Sequence, residues 1–144
     1  MCVARSREDG KFQDLEEHLR DTAERSAEFA SAFGAEAWGW EIGACHDIGK
    51  TSKEFQAHIK AKGPPTDHST AGAQWILKRR NPIGAYCVAG HHGRLPDGGS
   101  QLDTSQMPTL AGRLKRRVPV YDARVLEHLC SRDPLQTPFP TQFK

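Results

Sequence analysis

No stretch of this 144-residue sequence stays apolar for anything near the ~20 residues that cross a bilayer. Its opening, MCVARSREDG, lacks the hydrophobic segment of an export signal. A cytoplasmic protein with no membrane partner is the expectation. No Cys-x-x-Cys pair occurs: Cys2, Cys45, Cys87 and Cys130 stand 43, 42 and 43 residues apart. That argues against a zinc ribbon or redox dithiol and for reduced, mostly buried thiols. The net charge is only +2, which excludes a strongly basic nucleic-acid binder but leaves room for local basic patches. Period-2 alternation is nearly absent, so the expected class is all-α. Hydrophobic residues at 37% and charged residues at 26% suit one globular domain with a modest core.

Helical periodicity organises what is there. Apolar Phe12, Leu15, Leu19, Ala23, Ala27, Ala30 and Phe33 recur at three- and four-residue steps. They predict one amphipathic helix over residues 12–33, with His18 beside its buried stripe. A second helix is expected from about 35 to 48, stopped by Gly49. Thr51 and Ser52 are natural caps for a third, which carries Phe55, Ile59 and Ala61. Gly63, Pro64 and Pro65 break the chain. Thr66 or Asp67 can cap the next helix, with Ala71, Trp75, Ile76 and Leu77, and Asn81-Pro82 opens another that ends at His91-His92. Residues 94–106 read as a polar loop, followed by weaker helices near 108–117 and 122–131. Trp38, Trp40 and Trp75 are expected to fill the core. Residues 134–144 (PLQTPFPTQFK) hold three prolines and two phenylalanines with no helix to bury the rings. They read as a connecting tail to a continuation beyond residue 144, leaving 1–133 as the domain.

Seven histidines are many for this length, and their placement carries the chemistry. His18, His46, His68 and the His91-His92 pair each fall in or beside a different helix. Helical bundles build metal sites from such facing side chains. Imidazole with one or two carboxylates suits manganese, iron, cobalt, nickel or zinc, whereas magnesium prefers oxygen. The most specific signal is His46-Asp47-Ile48-Gly49-Lys50. A bare His-Asp pair is expected about 0.4 times by chance in this composition; requiring the Gly and Lys lowers that to about 0.002. On a helix His46 and Asp47 point about 100° apart, so they can address two neighbouring ions, and a carboxylate can bridge both. Lys50, one turn on, is placed to meet a phosphate oxygen. His91-His92, flanked by Gly90 and Gly93, is weak alone and strong in combination. His58 and His128 have no supporting motif and read as surface or core. Cys45 reads as a small core residue before it reads as a ligand. The basic runs Lys78-Arg79-Arg80 and RLKRR (residues 113–117) read as solvated helix ends, with phosphate contact as the alternative.

Taken together, His18, HDIGK (46–50), DHSTAGA (67–73) and GHHGRLPD (90–97) resemble the HD-domain metal-dependent phosphohydrolases. The likeness is closest to the HD nuclease domain of the type I CRISPR interference helicase–nuclease. It covers residues 12–99. The resemblance implies a compact helical bundle with two transition-metal ions in its core. One ion would be held by His18, His46 and Asp47, the other by Asp47, His68, His91 and His92. It implies hydrolysis of single-stranded DNA by a hydroxide shared between the ions, with Asp47 and Lys50 as catalytic residues. A helicase motor and a CRISPR surveillance complex are the implied partners. Arg94, Arg79, Arg80 and the RLKRR run are candidates for strand contact, with Arg94 as the substrate-binding candidate; no aromatic platform is visible. The family places a further ligand of the first ion, an aspartate, on a later helix. Asp122 and Asp133 lie too early and lack its context, so the first ion keeps three protein ligands here.

Three other readings compete. Signalling phosphodiesterases of the HD-GYP type also carry HDIGK and paired histidines, but their pair is followed by Glu and then Gly-Tyr-Pro. Here Gly-Arg-Leu-Pro-Asp-Gly-Gly follows. Hydrolases of free nucleotides commonly need one metal, which would leave His68 and the His91-His92 pair superfluous. A fragment that binds metal or a partner without turnover would explain the missing aspartate.

Overall fold

The computed structural model describes residues 1–61 and 63–135. The chain begins with a hairpin that the periodicity does not foretell. Strand β1 (Val3–Ser6) pairs antiparallel with β2 (Phe12–Asp14), with an irregularity between Val3 and Arg5. The helix expected over 12–33 therefore starts later, as α1 (Leu15–Ser31). Asp14 ends the strand and accepts the Glu17 amide at 3.0 Å, capping a first turn that holds Glu16 and Glu17. Phe12, assigned to the buried stripe, is 44% exposed on the strand instead.

Helix α2 (Glu36–Cys45) folds back along α1. Gly39 and Gly43 let the two backbones touch, since a Cβ at either would meet Ser26 O at 2.3 Å or the Ala23 Cα at 2.6 Å. The expected second helix ends early: Ile48–Thr51 is a 3₁₀ turn. Helix α3 (Lys53–Ala61) follows, with the Ser52 hydroxyl accepting the Phe55 amide at 3.2 Å. The hairpin docks on this region. Gln56 Oε1 accepts the Val3 amide, and Gln56 Nε2 donates to Val3 O, both at 3.0 Å.

Helix α4 (Ser69–Lys78) closes with Arg80 in the left-handed region (φ 62°), its amide on Leu77 O and the Asn81 amide on Ile76 O. That turn delivers Asn81 as the cap of α5 (Pro82–Gly90), accepting the Gly84 amide at 2.7 Å. Two short helices complete the described chain: α6 (Leu110–Leu114) and α7 (Arg124–Leu129). Apart from the hairpin the described chain is helical, so the all-α class holds. The tail expected over 134–144 lies, from residue 136 on, outside the described residues.

One core joins the helices. Leu15 and Leu19 of α1, Ile48, Ile76 of α4, Val88 of α5 and Leu126 of α7 are almost wholly buried. Each such side chain contributes roughly 1.5–3 kcal/mol of transfer free energy. Alanines 23, 44, 71, 85 and 89 fill the gaps and keep the helices close. The tryptophans are half-buried rather than filling it: Trp40 and Trp75 pack at its margin, and Trp40 Nε1 donates to Leu129 O at 2.7 Å. Arg79, read as solvated, is enclosed. It pairs with buried Glu41 and donates to the carbonyls of Ser131, Arg132 and Asp133, over the Trp75 ring. The cysteines are free: Cys45 and Cys130 are buried, Cys2 is half-buried, and Cys87 is exposed, so the expectation of mostly buried thiols holds for two. No helix among the described residues is long and apolar enough to cross a membrane.

Candidate metal centre

Two helix ends aim at one point. His46 follows the last residue of α2 and His91 the last residue of α5. Each imidazole folds back on its own helix: His46 Nδ1 donates to Gly43 O and His91 Nδ1 to Val88 O, both at 2.7 Å. A carbonyl can only accept, so Nδ1 carries the proton. The same bond satisfies a last-turn carbonyl and turns Nε2 inward, toward Asp47, where it is free to coordinate a metal. His68, just before α4, repeats the pattern more loosely, with Nδ1 3.3 Å from Thr66 O. His18 projects from the edge of the α1 stripe, between Leu15 and Leu19.

These rings surround Asp47, which is 2% exposed. Its Oδ2 lies 3.1 Å from His18 Nε2 and 3.2 Å from His46 Nε2. Its Oδ1 lies 3.3 Å from His68 Nε2, 3.2 Å from His91 Nε2 and 3.7 Å from His92 Nε2. The two groups meet at the His46 and His91 rings, whose centroids are 5.1 Å apart. Asp47 is not in a regular helix, contrary to the expectation for the motif; it opens the 3₁₀ turn with φ −113°. The turn brings Lys50 back onto the same carboxylate. Its Nζ lies 2.8 Å from Asp47 Oδ2 and 3.3 Å from Ala4 O, and the side chain is largely buried.

Burial pushes the Asp47 carboxyl up. Hydrogen bonds with His18, His46, His68 and His91 outweigh it and hold the group well below the usual carboxylate range. It is an anion. Burial first, then the His91 and His68 charges, push His92 below its ordinary value, which favours the neutral, ligating ring. An anion facing the unprotonated Nε2 atoms of neutral rings would repel them. Either added protons or cations must sit between, and the two compete. The ligand atoms of His18, His46 and Asp47 lie within 4.8 Å of one another, and so do those of Asp47, His68, His91 and His92. That donor set, imidazole-rich with one shared carboxylate, fits divalent transition metals.

All six expected ligands are thus brought together. Other candidates are placed elsewhere. Arg94, two residues past His92, is exposed and has no hydrogen bond or ion pair among the described residues. Cys45 is fully buried against Ile42 O, its thiol pushed well above its ordinary value by burial, and stands outside both groups. His58 bonds Gly63 O and His128 is exposed. Asp122 pairs with Arg124, and among the described residues no second carboxylate joins either group. The RLKRR run is solvated only in part, with Lys115 and Arg117 exposed. Arg113 turns inward, Lys115 holds the carbonyls of Gln101 and Asp103, and Arg116 holds Ser105 O and Asp67. Sequence reasoning missed one support of His68, the Phe55 ring, 4.9 Å away between centroids; Asp67, one of the two expected caps, accepts the Thr70 amide at 3.1 Å.

No curated protein matches the chain. The sequence matches the family described as Cas3, HD domain, over residues 12–138. That span runs from β2 through every helix that supplies a histidine to the cluster, and so the chain belongs to the Cas3 HD-domain family of metal-dependent nucleases in type I CRISPR defence.

Proposed function

We propose that the chain is a phosphodiester hydrolase that cuts single-stranded DNA with two divalent transition-metal ions. One observation carries the reading: the two oxygens of Asp47 face two separate imidazole groups, His18 and His46 on one side and His68, His91 and His92 on the other. Bound there, a pair of ions supplies a water of lowered pKa and positive charge against the phosphoryl oxygens. The protein's part is placement. Carbonyls of Gly43 and Val88 lock the His46 and His91 rings, so little reorganisation remains when substrate arrives. Lys50, paired with Asp47, adds a fixed positive charge beside the scissile phosphate. Substrate enters on the His92 side, whose ring is 56% exposed. Arg94, exposed just beyond, contacts a neighbouring phosphate. The domain comprises residues 1–133, and its partners are a helicase and a CRISPR surveillance complex.

The test presents the purified protein with single-stranded DNA, the matching duplex and cyclic dinucleotides, each with manganese, cobalt or nickel. The expected result is manganese- or cobalt-dependent cutting of the single strand, abolished by Asp47→Ala. Cutting that survives Asp47→Ala at the wild-type rate, or turnover of cyclic dinucleotides alone, overturns the proposal. Metal uptake without any cleavage favours the binding-only reading.

A further inference from the structure

Arg113 is the cation of residues 113–117 that bonds both α4 and α5. Its Nη1 donates to Ala89 O, in the last turn of α5. Its Nη2 donates to Ser69 Oγ at 2.7 Å and Thr70 Oγ1 at 3.2 Å, in the first turn of α4. The same Nη2 lies 3.8 Å from Asp67 Oδ1. Arg116 adds a second ion pair to Asp67 at 3.4 Å, and Asp67 in turn accepts the Thr70 hydroxyl at 2.6 Å. The guanidinium therefore touches the residue before His68, the two after it, and the turn just before His91-His92.

We infer that Arg113 is the positioning residue that fixes the distance between His68 and the His91-His92 pair, and with it the affinity of that group for its ion. The inference rests on the metal reading proposed above. Its chemistry is that of a planar fork. Two terminal nitrogens can hold two helix ends at once in one rigid unit, which a lysine ammonium on a flexible stem cannot. Neither surface role fits the side chain. It is 17% exposed, its terminal nitrogens are already engaged, and its Nε is buried without a partner. The spacing it guards is narrow: His68 Nε2 and His92 Nε2 are 2.6 Å apart, and a metal site tolerates ligand shifts of only about 0.2 Å. Residues that orient metal ligands typically set affinity by about 10- to 100-fold.

The experiment titrates the metal-free protein with cobalt(II), following visible absorption, with circular dichroism on every variant. Wild type, Arg113→Met and Arg113→Lys are compared, each also in a His18→Ala background where only the second group is complete. The expected result is a loss of about tenfold or more for the second ion in Arg113→Met, with the first ion changed less than about twofold. Arg113→Lys should fall between. Wild-type affinity for the second ion in a helical Arg113→Met overturns the inference, as does equal weakening of both ions. If the Met variant does not fold, wild-type affinity in the Lys variant overturns it just as well. Wild-type protein that binds no cobalt sinks the metal reading itself and this inference with it.

Discussion

Gly49, the fourth residue of the His46–Lys50 motif, is held against the backbone of the segment that carries His68. A Cβ at residue 49 would lie 2.2 Å from His68 O and 2.8 Å from the His68 Cα, whereas ordinary contact begins at 3.4 Å. Gly49→Ala must therefore drive the two segments apart by about 1 Å, because neither obstacle is the free end of a side chain. The displacement falls on His68, whose Nε2 is 3.3 Å from Asp47 Oδ1. It is several times the roughly 0.2 Å that metal geometry tolerates. Overpacking of this kind costs about 1–3 kcal/mol. In a chain of this length that lowers the melting temperature by several degrees. Cobalt titration and thermal unfolding of Gly49→Ala are the assays. The second ion should weaken by about tenfold or more while the His18-His46 side is spared. A variant that binds both ions as wild type does, with an unchanged melting temperature, would refute the close approach as the reason for glycine.

Two further predictions concern the supports. Removing the Asp67 cap by Asp67→Ala should cost about 1 kcal/mol at pH 7 by urea unfolding. Burial pushes the Asp67 carboxyl up, but the Thr70 hydrogen bonds and the Arg113 and Arg116 charges outweigh it and hold the group below its ordinary value. Its contribution is thus complete above the unfolded value of about 3.9 and lost as pH falls through the folded one, so the gap to wild type should narrow toward pH 3. A gap independent of pH contradicts this. Arg79→Met strands the Glu41 carboxylate in a site where it is 3% exposed, and should cost about 3–5 kcal/mol. Adding Glu41→Gln should recover part of that loss; strict additivity would mean that the two side chains do not interact.

How much could be read beforehand depended on the range of the interaction. Asn81-Pro82 needs only its own neighbours to cap α5, and it does so as the pattern says. The clustering of His18, His46, Asp47, His68, His91 and His92 was legible because the HDIGK motif is local and the remaining histidines fall at three separate helices. The hairpin was not legible. Its strands have four and three residues, and what fixes β1 is Gln56, 53 positions from Val3. The start of α1 was misjudged for a related reason. Phe12 continues the apolar rhythm, yet Asp14 and Glu17 form the local cap that wins. Arg79 and Arg113 read as surface cations because nothing in their neighbourhoods says that α7 or the α4–α5 layer will close over them. Gly49 was recognised by its place in a motif, but its physical reason is the approach of a segment 19 residues away.

Ion binding at the Asp47 carboxylate decides whether the histidine cluster is a metal centre. Equilibrium dialysis of the purified protein against manganese or cobalt, with elemental analysis of the retained metal, measures it directly. Wild type should retain two ions per chain, and Asp47→Ala should lose both. Wild-type protein that retains none, or an Asp47→Ala variant that keeps both, would contradict this.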